Sequence, residues 1–184
     1  MRLSLILPCA LLSCACVPVE DDGKQVTDKG IETMAQGDGS FVSVIDTRDE
    51  SAFTYLDLES SAEVDADSET WDLGFLRFNV ATHVEVAVLE GTDFDALTTA
   101  PVDGYRSDAS DPETSMKETM PGYAFDLWYD YNMMTHVLTA RADLVYVVHT
   151  PEDNFYKVQM LDYYDAAGTS GYLSLRWAPL LPPT

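Results

Sequence analysis

Cysteine is almost missing from this chain. The three present, Cys9, Cys14 and Cys16, all fall within the first sixteen residues. The rest of the sequence therefore cannot form an internal disulfide or a cysteine-based zinc site. Positive charge is scarce too: 10 Lys and Arg stand against 32 Asp and Glu, for a formal net charge of −22. Such a chain repels phosphates, which argues against nucleic acid as a partner. Histidine is limited to His83, His136 and His149, with no pair spaced i,i+2 or i,i+4. Catalytic signatures are lacking as well. There is no G-x-S-x-G elbow, no H-E-x-x-H and no phosphate-binding loop, and GTSG (168–171) reads as a hairpin turn. The expectation is a protein that is not an enzyme. DADSE (65–69) resembles the start of a calcium loop but lacks the glycine at loop position six and the distal glutamate.

What is present is a globular composition, 46% hydrophobic and 11% aromatic over 184 residues, enough for one domain with a sizeable core. The N-terminus MRLSLILPCALLSCAC combines Arg2, a short apolar stretch and small residues beside a cysteine. That is a secretory signal, too short to span a bilayer. Leu11-Leu12-Ser13-Cys14 looks like a bacterial lipobox with Cys14 as the lipidated residue; Cys16 is the alternative. Residues 1–13 are read as the signal peptide, 14–39 as the lipidated anchor and flexible tether, and 40–184 as the folded domain. The membrane is then met only through the lipid. Ala15 follows Cys14 where a retention aspartate would favour the inner membrane, so the outer membrane is expected.

Beyond the tether, strand patterns dominate. FVSVID (41–46), FTYLDLES (53–60), WDLGFLRFNVAT (71–82) and VEVAVLEG (84–91) are rich in alternating branched and aromatic residues. LWYDYN (127–132), HVLTA (136–140), LVYVVHT (144–150), FYKVQMLDYY (155–164) and GYLSLRW (171–177) continue the series after a long polar stretch, 92–125, read as a loop with at most one short helix near residues 94–97. Several short strands with legible turns predict an all-β fold, an antiparallel sandwich or open sheet. The seven methionines are notable because Met116 and Met120 lie in the long loop and Met133 and Met134 end a strand. Methionine ordinarily fills gaps in cores, but its thioether is also a soft metal ligand.

WDLGFLRFNV (71–80), TTAPVDGY (98–105), LVYVVHTPEDNFYKVQMLDYYDAAG (144–168) and GYLSLRW, in that order and spacing, resemble the HmuY family of haem-binding bacterial lipoproteins. The resemblance runs from about Val44 to Pro179. It implies an all-β lipid-anchored protein that captures haem, or a related tetrapyrrole, for iron acquisition. It also implies iron held between two axial side chains, histidines in some members and methionines in others. One ligand position falls on Met133, with Met134 and His136 as neighbours. The other falls in the preceding loop, which has no histidine here, and Met120 or, second to it, Met116 remains. Tyr123, Trp128 and Tyr131 are the aromatic walls this reading supplies. The alternative is a surface module of the same fold that binds no haem and takes another ligand or a protein.

Overall fold

The computed structural model describes residues 30–108 and 122–184. Cys14, the signal peptide and most of the tether lie outside the described residues, as do Met116 and Met120. Among the described residues every regular element is a strand and every ladder between them is antiparallel. No helix of the described residues is long and apolar enough to cross a membrane.

The larger sheet has seven strands in the order β1-β2-β13-β12-β11-β7-β8. These are β1 (Ile31–Ala35), β2 (Phe41–Asp46), β7 (Glu85–Glu90), β8 (Tyr105–Arg106), β11 (Leu144–His149), β12 (Phe155–Tyr164) and β13 (Ser170–Leu180). A four-stranded sheet, β4-β3-β5-β6, is built from β3 (Thr54–Asp57), β4 (Ala62–Val64), β5 (Leu73–Leu76) and β6 (Asn79–Ala81). A separate hairpin pairs β9 (Tyr129–Asn132) with β10 (Val137–Ala140). The principal core lies between the two sheets. Leu56, Leu73, Phe75 and Val80 from the small sheet share one cluster with Ile45, Val86, Tyr146, Val158, Leu173, Leu175 and Trp177 from the large one.

The residue patterns account for these positions. β13 alternates buried Leu173, Leu175 and Trp177 with half-buried Tyr172, Ser174 and Arg176, as a strand with one face on the core must. Trp177 stacks on Phe41 with ring centroids 4.3 Å apart and donates its indole N–H to Ser43 Oγ at 3.0 Å. β11 instead reads LVYVV without alternation and is buried on both faces. Tyr146 and Val148 face the main core, whereas Val145 and Val147 are covered by Phe94, Leu97 and Ala100 from the loop after β7. A continuous apolar run is what such two-sided burial requires. The loop is held down by Lys157, whose ammonium donates to the carbonyl oxygens of Phe94 at 2.6 Å and Leu97 at 2.8 Å.

The architecture corrects several boundaries. The tether read as flexible to residue 39 ends earlier, because Ile31–Ala35 forms edge strand β1 and Ile31 is buried in the core. WDLGFLRFNVAT is not one strand but the hairpin β5–β6, with Leu76 opposite Asn79 and Arg77 at φ 55° in the turn. The stretch near residues 94–97 makes only a single turn, closed by the Leu97 N–H on the Asp93 carbonyl, rather than a helix. Strands β4 and β8, of three and two residues, are too short to leave an alternating pattern in the sequence.

Candidate functional site

The β9–β10 hairpin is closed by a four-residue loop, Met133–His136, between the paired residues Asn132 and Val137. Asn132 shapes it: its side-chain oxygen accepts the N–H groups of Met134 at 2.9 Å and Thr135 at 3.2 Å, while its carbonyl accepts the His136 N–H at 2.8 Å. This is one turn of helix-like chain begun by an Asn cap. It ends at His136 with φ 57°, a left-handed conformation that His tolerates better than most residues. The reversal brings the imidazole back toward the strand, where His136 Nδ1 meets the Tyr131 hydroxyl at 2.5 Å.

Beneath this hairpin lies a cleft of about 450 Å³, lined by Arg77, Phe78, Tyr129, Tyr131, His136, Leu138, Tyr163, Tyr164, Gly168 and Ser170. The volume falls in the range of small-molecule and cofactor sites. Its floor is aromatic. Phe78 meets Tyr129 and Tyr163 edge-on, with centroids 5.7 and 6.3 Å apart. Two adjacent tyrosines can line one cleft because β12 carries register shifts between Met160 and Asp162 and between Asp162 and Tyr164. Burial moves from Val158 and Met160 to Tyr163 across that irregularity, and Asp162 Oδ1 accepts the Tyr163 N–H at 2.7 Å. Bulges commonly re-aim side chains beside ligand sites. Tyr164 reaches over to accept the Leu138 N–H at 3.0 Å, tying the hairpin to the large sheet. Burial pushes the hydroxyls of Tyr129 and Tyr163 up from their ordinary titration range, and for Tyr163 the Arg77 guanidinium opposes the shift. Arg77 also pairs with Glu50 at 3.2 Å, so the rim carries an ion pair beside the aromatic floor.

Of the residues singled out from sequence, Tyr131 and His136 are brought together at this cleft. Met133 and Met134 sit at the hairpin tip, 79% and 91% exposed, and are not among the lining residues. Tyr123 and Trp128 are 2% and 1% exposed, so they lie inside the protein rather than forming ligand-facing walls. Trp128 supports the cleft from below: its indole N–H donates to the Phe78 carbonyl at 2.8 Å and its ring meets Tyr129 edge-on at 5.0 Å. Arg77, Phe78, Tyr129, Leu138, Tyr163 and Tyr164 were not singled out from sequence. Only the doubled tyrosine at the end of a strand offered a signal for any of them. A second cleft, of about 610 Å³, lies along the end of β13. Its charged groups already satisfy one another: Arg176 binds Asp38 and Asp95, both at 2.7 Å, and Lys157 binds two carbonyl oxygens.

Fold and site together define an antiparallel β-sandwich domain that carries an aromatic cleft under a projecting hairpin. The chain belongs to the HmuY family: the family model described as HmuY protein matches residues 49–177. No curated protein matches the chain. Among solved structures it is similar to a candidate lipoprotein of Bacteroides fragilis, with TM-score 0.64 and 19% identity over 84% of this chain and 96% of that one. It is also similar to a candidate HmuY-like haem-binding protein of Bacteroides vulgatus, at TM-score 0.63 and 20% identity over 82% and 97%. The apo HmuY analog of Tannerella forsythia matches at TM-score 0.62 and 17% identity over 85% and 98%. At these identities the likeness shows the fold.

Proposed function

We propose that this protein is a non-enzymatic, lipid-anchored outer-membrane protein that binds haem or a related tetrapyrrole in the cleft beneath the β9–β10 hairpin and serves iron acquisition. One observation carries the reading. Of nine large apolar side chains exposed among the described residues, five, Leu127, Tyr131, Met133, Met134 and Val137, fall on or beside this hairpin. Apolar surface concentrated beside an aromatic cleft marks a binding face. The residues fit a planar iron macrocycle. Phe78, Tyr129 and Tyr163 offer ring surface, and Arg77 offers a guanidinium that a ligand carboxylate would take over from Glu50. His136 offers a nitrogen donor in the cleft, and the exposed Met133 at the hairpin tip beside it offers a sulfur donor. Family membership and the relative described as haem-binding support the ligand class. The Cys14 lipobox and the relative described as a candidate lipoprotein support the anchor.

Tyr131 occupies His136 Nδ1, which leaves Nε2 as the nitrogen to meet a metal and makes Tyr131 the group that sets the imidazole's tautomer and orientation. Titrating ferric and dithionite-reduced haem into the purified protein should give a saturable Soret shift that changes in Met133→Ala and His136→Ala. Tyr131→Phe should weaken binding by roughly 10- to 100-fold, the usual effect of removing a group that orients a metal ligand. No Soret shift in either oxidation state would refute haem and favour a module of this fold with another ligand or a protein partner.

A further inference from the structure

Away from the cleft, Asp57, Glu59 and Asp72 each place a carboxylate oxygen within 4.8 Å of the others. Asp57 ends β3, Glu59 lies two residues on, and Asp72 immediately precedes β5. Each carboxylate is fixed by a partial set of hydrogen bonds. Asp72 Oδ2 accepts the Leu58 N–H at 2.8 Å, and Asp57 Oδ1 accepts the Ser60 N–H at 3.0 Å. Glu59 Oε1 accepts from the Thr150 hydroxyl at 2.5 Å and the Asn154 amide at 3.3 Å. Two oxygens receive nothing: Asp72 Oδ1 and Glu59 Oε2 are buried without a hydrogen-bond partner. Asp72 as a whole is 0% exposed.

A cluster of acids on the surface of so acidic a chain calls for no explanation. A fully buried carboxylate with an unmatched oxygen and like-charged neighbours does, because removing it from water without compensation is expensive. Burial, the largest cause, pushes the Asp72 carboxyl up to about 8; the Leu58 N–H pulls it back, and the negative charges of Glu59, Asp57 and Glu152 add to the rise. The compensation must come from a proton or from a cation.

We propose that Asp57, Glu59 and Asp72 form a calcium site in which Asp72 Oδ1 and Glu59 Oε2 are ligands. The donor set is all oxygen, which selects hard cations over zinc or copper. Oxygens at 2.3–2.6 Å from calcium span about 4.6–5.2 Å across the ion, which accommodates the observed separation. Magnesium draws its ligands closer and gives up water reluctantly, so a largely buried carboxylate cage suits it less. The ion has a structural consequence. Asp57 and Asp72 belong to the four-stranded sheet, while Glu59 is already bound to Thr150 and Asn154 in the turn between β11 and β12. Calcium here would clamp the small sheet to the large one, independently of any ligand in the aromatic cleft.

The test is calorimetric titration of the EDTA-stripped protein with calcium and magnesium chloride, with thermal melts at constant ionic strength. Calcium should bind one-to-one and raise Tm by several degrees. Asp72→Asn and Glu59→Gln should each weaken calcium binding at least 10-fold, whereas Asp65→Asn, an exposed acid in the neighbouring loop, should leave it unchanged. Asp72→Asn is close to isosteric and keeps an acceptor for Leu58, so it is expected to fold. The proposal is overturned by absence of saturable heat and of any Tm rise at about 5 mM calcium, above the weak end of known calcium modules. It is equally overturned by the same response in wild type, Asp72→Asn and Glu59→Gln, which would reduce the effect to screening of net charge. Equal affinity for magnesium would overturn the choice of calcium.

Discussion

Trp128→Ala is expected to lower stability by about 3–5 kcal/mol, the usual range for truncating a buried Trp. For a chain of this size that corresponds to a fall in Tm of roughly 6–20 °C. The residue is 1% exposed in the main core, and its loss opens a large cavity where β9 begins. Its second role is more specific. The indole N–H to the Phe78 carbonyl, at 2.8 Å, is a hydrogen bond between the β5–β6 turn and the hairpin, the two elements that face each other across the aromatic cleft. Trp128→Phe keeps most of the apolar volume but strands that carbonyl, so a smaller loss of about 1–3 kcal/mol is expected. Because Phe78 and Tyr129 both rest against this bond, Trp128→Phe should also weaken ligand binding while the far-UV circular dichroism stays native. Thermal melts paired with Soret titrations separate the two effects. A Trp128→Ala variant within 1 kcal/mol of wild type would refute the packing account.

The strands that could be read from sequence are those whose side chains announce their own environment. FVSVID and FYKVQMLDYY were placed on β2 and β12 because alternation and aromatic density are local properties. β1 was not, since IETMA buries only Ile31 and becomes a strand through its pairing with β2, a tertiary event. The β5–β6 turn was hidden for a different reason. Arg77 holds a positive φ usually left to Gly or Asn, so the turn carries no turn residue. The antiparallel all-β expectation holds despite these misses because the inner strands of the large sheet, β2, β13, β12, β11 and β7, are apolar enough to be legible even where their ends are not.

The site was less legible. Tyr131 and His136 meet only because Asn132 caps a turn that ends in a left-handed residue, and spacing along the chain does not reveal that. The aromatic floor draws on Phe78, Tyr129 and Tyr163, which are far apart in sequence, and it depends on an irregularity in β12 that strict alternation would not predict. Trp128 and Tyr123 illustrate the converse. Their residue type suggested a ligand-facing wall, but large aromatic residues bury more area in a core than in a cleft, and both went inside. Asp57 and Asp72 look like two more acids in an acidic chain until the β3–β5 pairing brings them together.

Asp108→Ala is expected to be the second severe substitution, at about 2–4 kcal/mol. One carboxylate spans two backbone groups that are distant in sequence. Oδ2 accepts the Thr82 N–H at 2.8 Å and Oδ1 accepts the Ala124 N–H at 2.7 Å. Arg106, two residues earlier, adds its guanidinium to the carbonyl oxygens of Tyr123 and Ala124 at 3.4 and 3.3 Å. The chain at residue 108 is thus held beside the chain at residues 123 and 124. Removing the carboxylate leaves two partly or fully buried N–H donors without acceptors, at about 1–3 kcal/mol each. Burial, the largest cause, pushes the Asp108 carboxyl above its ordinary value, while the two N–H groups and Arg106 pull it back. The sign for stability follows from the net upward shift. The folded chain holds this proton to higher pH than the unfolded chain does, so its contribution withdraws stability as pH rises above about 4. Asp108→Asn should therefore flatten that part of the pH–stability curve while losing less than Asp108→Ala at neutral pH, since its amide oxygen still accepts one of the two N–H groups. Denaturant melts at a series of pH values measure both quantities. If Asp108→Ala melts with wild type, the two hydrogen bonds do not hold Thr82 and Ala124 together in the way this account requires.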